Sequence, residues 1–162
     1  MIDAIKAFLG GYRAAAIKET RGMEGHGFYA TLFKDGKALG EIADYADGGP
    51  LNMHLNNRDD EKALIEFAKA QYPDVQFEAE GSFIAALIDY ELAIKKLQSK
   101  AKKALLVADE TQLDEHGVAT SYSTWNLPDT PENRAKVLAK HPATKFLNDE
   151  LATWEPLKKP RK

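Results

Sequence analysis

The sequence predicts an α+β fold: a small antiparallel β-meander packed against helices, followed by a smaller strand-strand-helix-strand segment. Three observations lead there. Asp35-Gly36 lies between two runs of β-forming residues, as the positive φ angles of a tight hairpin require. Leu51, Met53 and Leu55 alternate with Asn52, His54 and Asn56 at the period of a half-buried strand. Phe83, Leu87, Tyr90, Ile94, Leu97 and Ala101 recur at spacings of four and three, the seam of a long packed helix.

Ile2, Ile5, Phe8 and Leu9 stand at helical spacing, and Gly10-Gly11 ends that first helix by removing propensity at two successive positions. Residues 12–19 suit either state, since Ala14, Ala15 and Ala16 favour a helix while Tyr12 and Ile17 favour a strand; a strand is expected. Phe28 to Phe33 and Leu39 to Ala43 form the hairpin around Asp35-Gly36. A two-residue loop there places Leu32 opposite Leu39 and Tyr29 opposite Ile42. The turn segment Asp47-Gly48-Gly49-Pro50 then leads into the strand of Leu51, Met53 and Leu55, making three or four strands in all.

Asn57 or Asp59 caps a helix with Leu64, Phe67, Ala68 and Tyr72 on one face, and Pro73 stops it. Ser82 is expected to cap the helix from Phe83 to Ala101. Ala104 to Val107 and Val118 to Trp125 read as two strands that pair across a polar loop. Thr130-Pro131-Glu132 begins a helix, with Thr as cap and Pro at the first position, and His141-Pro142 closes it. Phe146-Leu147 reads as a last short strand, and Trp154 docks the C-terminal segment. The expected organisation is residues 1–102 as sheet and two following helices, 103–157 as a smaller α+β segment packed on it as one unit, and 158–162 as a basic disordered tail.

At 162 residues, with 44% apolar and 29% charged side chains, the chain supports an ordinary core. It has no cysteine, which excludes thiolate nucleophiles and sulfur-ligated zinc and fits a reducing compartment, so the cytoplasm is expected. Met1 to Leu9 has no basic segment leading into an apolar run, and no stretch approaches the length of a membrane span. A formal charge of −3 neither steers nucleic acid nor imitates its phosphate density, so nucleic acid is not an expected partner.

The densest polar group is Asp44, Asp47, Asn52, His54 and Asn56, with Glu24 and His26 at the start of the neighbouring strand. Carboxylates and imidazoles on a rigid support can hold a divalent cation or act as an acid and base, so Asp44, Asp47, His54 and His26 are the candidates for such a site. The plainer reading has Asp44 and Asp47 forming Asx turns and His54 facing water. Gly48-Gly49 runs into a proline and a strand instead of a helix, and Gly22, Gly25 and Gly27 match no dinucleotide fingerprint, so no cofactor is expected. The serines lie in no nucleophile pattern. Tyr122 and Trp125 can present rings to a base, or pack in the core.

Gly25-His26-Gly27-Phe28-Tyr29-Ala30-Thr31-Leu32, Lys34-Asp35-Gly36-Lys37 and Asp47-Gly48-Gly49 together resemble small uncharacterised proteins of phages, plasmids and other mobile elements, over the first third of the chain. The resemblance implies an accessory or inhibitory binding protein and supplies no catalytic residues. The expected function is a non-catalytic module that binds a protein partner, with a homodimer through the Phe83 to Ala101 helix left open. A metal-assisted hydrolase or nuclease centred on Asp44, Asp47 and His54 is the alternative. Single-stranded nucleic-acid binding through Tyr122, Trp125 and the basic tail is a second.

Overall fold

A computed structural model describes residues 1–158. Of the expected basic tail, Lys158 is described, and residues 159–162 lie outside the described residues. The fold is α+β, with an N-terminal four-stranded antiparallel meander, a separate two-stranded sheet and five helices among the described residues. The chain forms two compact units. The sheet unit comprises Leu9–Glu91 with Leu157 and Lys158; the hairpin unit comprises Met1–Phe8 and Leu92–Pro156.

Helix α1 (Ile2–Leu9) buries Ile2, Ile5, Phe8 and Leu9, the apolar positions its spacing predicts. After it the sheet unit builds β1 (Tyr12–Gly22), β2 (Gly25–Lys34), β3 (Lys37–Asp44) and β4 (Asn52–Leu55), hydrogen-bonded in that order. The alanines of β1 therefore adopt the extended state, since pairing with β2 overrides their helical propensity. Asp35 and Gly36 have φ of 49° and 82°, the signature of the two-residue hairpin turn.

The register beyond that turn differs from the expectation. Phe33 faces Ala38 as a two-residue loop requires, but Leu32 then faces Gly40 instead of Leu39, and Tyr29 faces Ala43 instead of Ile42. A bulge at Leu39-Gly40 inserts one residue, and Gly40 sustains it at φ 145°. A Cβ on Gly40 would lie 2.3 Å from the carbonyl oxygen of His54, so the approach of β4 also requires glycine. β1 carries a second irregularity between Ala15 and Lys18, where Ala16 takes φ 52°.

Helix α2 (Arg58–Gln71) is capped by Asn57, whose side chain accepts from the N–H of Asp59 at 2.8 Å, and it gives way at Tyr72 before Pro73. Phe67 meets Tyr12 at 5.2 Å and Phe83 at 5.3 Å between ring centroids, and Tyr12 meets Phe83 at 5.7 Å. These three rings anchor the sheet unit's core. The ammonium of Lys34 lies 4.5 Å above the Tyr12 ring and donates to the carbonyl of Gly10.

Helix α3 (Ala79–Ala101) starts earlier than expected, so Ser82 is inside its first turn and not its cap. The reason is apolar: Ala79 is buried one turn before Phe83 on the same face, and the N–H of Ser82 bonds back to the carbonyl of Glu78. Phe83, Leu87, Ile94 and Leu97 of the seam are buried within the chain.

In the hairpin unit β5 (Leu105–Ala108) pairs antiparallel with β6 (Tyr122–Trp125). β6 is shorter than the expected strand, because residues 118–121 belong to a loop organised by Asp114, whose carboxylate accepts from the N–H groups of His116 and Val118. Helix α4 (Pro131–Lys140) has Thr130 as its cap and ends at His141. Leu105, Val137 and Phe146 form a cluster, with Val107 and Trp125 against it.

The expected last strand at Phe146-Leu147 is instead the start of helix α5 (Leu147–Ala152). Leu147 and Leu151, four apart, are both buried, a helical period that two adjacent apolar residues cannot reveal. Buried Asn148 satisfies three main-chain groups: its Oδ1 accepts from the N–H of Leu106, and its Nδ2 donates to the carbonyls of Ala101 and Ala104. Trp154 is buried as expected.

Candidate functional site

Strand alternation decides where the polar cluster points. Along β3, Glu41 and Ala43 face one side while Ile42 and Asp44 face the other, and β4 places Asn52 opposite Ala43 and His54 opposite Glu41. His54 therefore lies on the opposite face of the sheet from Asp44. Each aspartate is used locally: Asp44 Oδ1 accepts from the N–H of Ala46 at 2.8 Å, and Asp47 Oδ1 from that of Gly49 at 2.9 Å, both Asx turns. His26 and His54 are exposed. Among the described residues no three His, Asp or Glu side chains are grouped to hold a metal ion.

Tyr122 and Trp125 are likewise separated, because residues three apart on a strand face opposite sides. Trp125 packs against the Leu105, Val137 and Phe146 cluster, 5.4 Å from the His141 ring. Tyr122 stays 37% exposed, with Lys100 Nζ 5.0 Å above its ring and 3.2 Å from its hydroxyl.

The outward face of the meander carries a feature that residue types alone did not single out. Tyr29 of β2 and Tyr45, just beyond β3, meet edge to face with centroids 5.6 Å apart, 45% and 41% exposed. Across the strands Tyr29 faces Lys18 on β1 and buried Ala43 on β3, and the next pair along this face is Thr31 with Glu41. Met23, 97% exposed, tips the β1–β2 turn, where the N–H of Glu24 bonds to the carbonyl of Ala46 beside Tyr45. The alternation Ala43, Tyr45, continued one step past the strand, was the available signal.

A cleft of about 650 Å³ opens in the hairpin unit beside Arg134, Leu138, Lys145, Phe146 and Asp149. Its strongest cation is already engaged. Arg134 donates to both carboxylate oxygens of Asp129 at 2.6 and 2.8 Å and to Asp149 at 3.0 Å, with its guanidinium 5.0 Å over the Phe146 ring. The hydrogen bond from Arg134 holds the Asp129 carboxyl below the usual carboxylate range. In the sheet unit, burial raises the Tyr12 phenol above its ordinary value, with Asp60 and Asp35 adding to the effect.

No family model, no curated protein and no solved structure matches this chain. Among the described residues no helix is long and apolar enough to cross a membrane.

Proposed function

We propose that this chain is a non-catalytic binding module whose contact surface for a protein partner is the outward face of the meander around Tyr29 and Tyr45. The observation that carries the reading is the pair itself: two tyrosine rings hold each other at 5.6 Å while remaining open to water. Such rings present large, amphipathic area with few torsions to freeze, which is why tyrosine is enriched among residues that dominate binding energy. Met23 adds an adaptable thioether at the adjoining turn. The resemblance of this same segment to proteins of mobile elements favours an accessory or inhibitory role.

Affinity capture from a lysate of the source cells, run in parallel with a Tyr29→Ala/Tyr45→Ala variant, tests the reading. The expected result is a stoichiometric partner that the unaltered chain retains across salt concentrations and the variant loses. Because both rings are exposed, the variant keeps its fold, to be verified by thermal melting. Capture of no stoichiometric partner, or of the same partner by both proteins, overturns the reading.

A further inference from the structure

We infer that the lysine block at the end of α3 is a phosphate-binding surface for single-stranded nucleic acid, with Tyr122 as the ring on which a base stacks. Between Leu92 and Ala108 the chain has five lysines and no acidic residue, in a protein whose overall formal charge is −3. Lys95, Lys96, Lys100, Lys102 and Lys103 are all exposed. Among the described residues none of the five forms an ion pair, whereas Lys69, Arg13 and Arg134 each do. A modest negative total thus conceals a concentrated positive patch, and the local field rather than the net charge governs a polyanion's approach.

Lys96 and Lys100 stand at i and i+4 on one face of α3, and Lys103 follows in the turn that ends it, its N–H bonded to the carbonyl of Lys100. Lys100 joins that face to Tyr122 through its contacts with the ring and the hydroxyl. Helix-dipole stabilisation does not explain the block. It acts within the last turn, where Lys100 is the basic residue, while Lys95 and Lys96 precede that turn and Lys102 and Lys103 follow the helix.

The chemistry favours nucleic acid over two other anionic partners. A lipid surface calls for an apolar face beside the lysines, but Ile94, Leu97, Leu105 and Leu106 are all buried. An acidic protein has no need of an exposed ring at the edge of the patch, whereas every base offers a face to stack on one.

Fluorescence anisotropy with a labelled oligothymidylate of about 20 nucleotides is the test. Binding is expected at about 50 mM salt, weakening with a log–log slope of about −2 if Lys96, Lys100 and Lys103 meet phosphates. Lys96→Glu/Lys100→Glu/Lys103→Glu should weaken binding at least about tenfold and flatten that slope. Tyr122→Ser should weaken it on the order of tenfold with the slope unchanged, which pure charge attraction does not produce. Lys136→Glu/Lys140→Glu on α4 should leave it intact, and thermal melting should show every variant folded. No anisotropy change at low salt overturns the inference, as does wild-type binding by the triple variant. It also fails if a chain ending at Leu157 no longer binds, or if polyglutamate or anionic vesicles compete as well as unlabelled oligothymidylate at equal charge.

Discussion

Arg13 and Glu91 form a two-point ion pair, with Nε 2.5 Å from Oε1 and Nη2 3.3 Å from Oε2, around a carboxylate only 8% exposed. Glu91 Oε1 also accepts from the main-chain N–H of Ala14 at 3.1 Å. Because β1 is an edge strand, that amide is occupied by a side chain instead of another strand.

Glu91→Ala is therefore expected to destabilise the protein by about 2–4 kcal/mol, since it removes the two-point carboxylate partner of the Arg13 guanidinium and the acceptor of the buried Ala14 N–H together. Glu91→Gln keeps an acceptor for Ala14 and should cost distinctly less. Urea unfolding of both variants checks this, and an alanine variant within about 1 kcal/mol of the parent refutes it.

Gly40→Ala should cost about 2–4 kcal/mol, combining the strained φ with displacement of β4 from its neighbour. Ala16→Gly makes the opposite change, giving a positive-φ position a residue suited to it, and is expected to be neutral or stabilising by up to about 1 kcal/mol. Thermal melting of the two variants should move in opposite directions or show a clear gap.

Asn148→Ala removes one acceptor and two N–H donors from a buried junction, leaving the N–H of Leu106 without its partner. A loss of about 2–3 kcal/mol is expected. Amide hydrogen exchange at Leu106 should accelerate more than at the Tyr29 amide of the other sheet, and equal acceleration of both argues against a local role.

Asp129 titrates lower folded than unfolded, so its stabilisation is full above the ordinary carboxylate range and fades as pH falls through the folded value. Arg134→Gln should lower stability at neutral pH by about 1 kcal/mol, a small figure because the pair is partly open to solvent. The gap to the parent should narrow below about pH 4, leaving the part due to packing on Phe146. A gap that does not change with pH removes the ion pair as its source.

Local chemistry was readable where one residue type answers one geometric need: Asp35-Gly36 for the turn, Asn57 and Thr130 for caps, Pro73 and Pro131 for a stop and a start. It failed where the deciding contact is remote in sequence. Ser82 has the right side chain for a cap, but burial of Ala79 extends the helix past it. Phe146-Leu147 has strand-like composition, but Leu151 is buried one helical turn after Leu147, and Trp154 is buried just beyond the helix. Asp44 and His54 are close along the chain, which left both a convergent site and plain Asx turns open, and the paired register places the two side chains on opposite faces.

The extra residue at Leu39-Gly40 sets the phase of everything after it. With the plain two-residue hairpin continued, Glu41 would stand opposite Ala30 and turn into the core while Ile42 came out beside Tyr29. One glycine thus determines which half of β3 is solvated. Substitutions there should scramble the outward face of the meander and favour aggregation through misplaced apolar side chains, even where the secondary structure content survives.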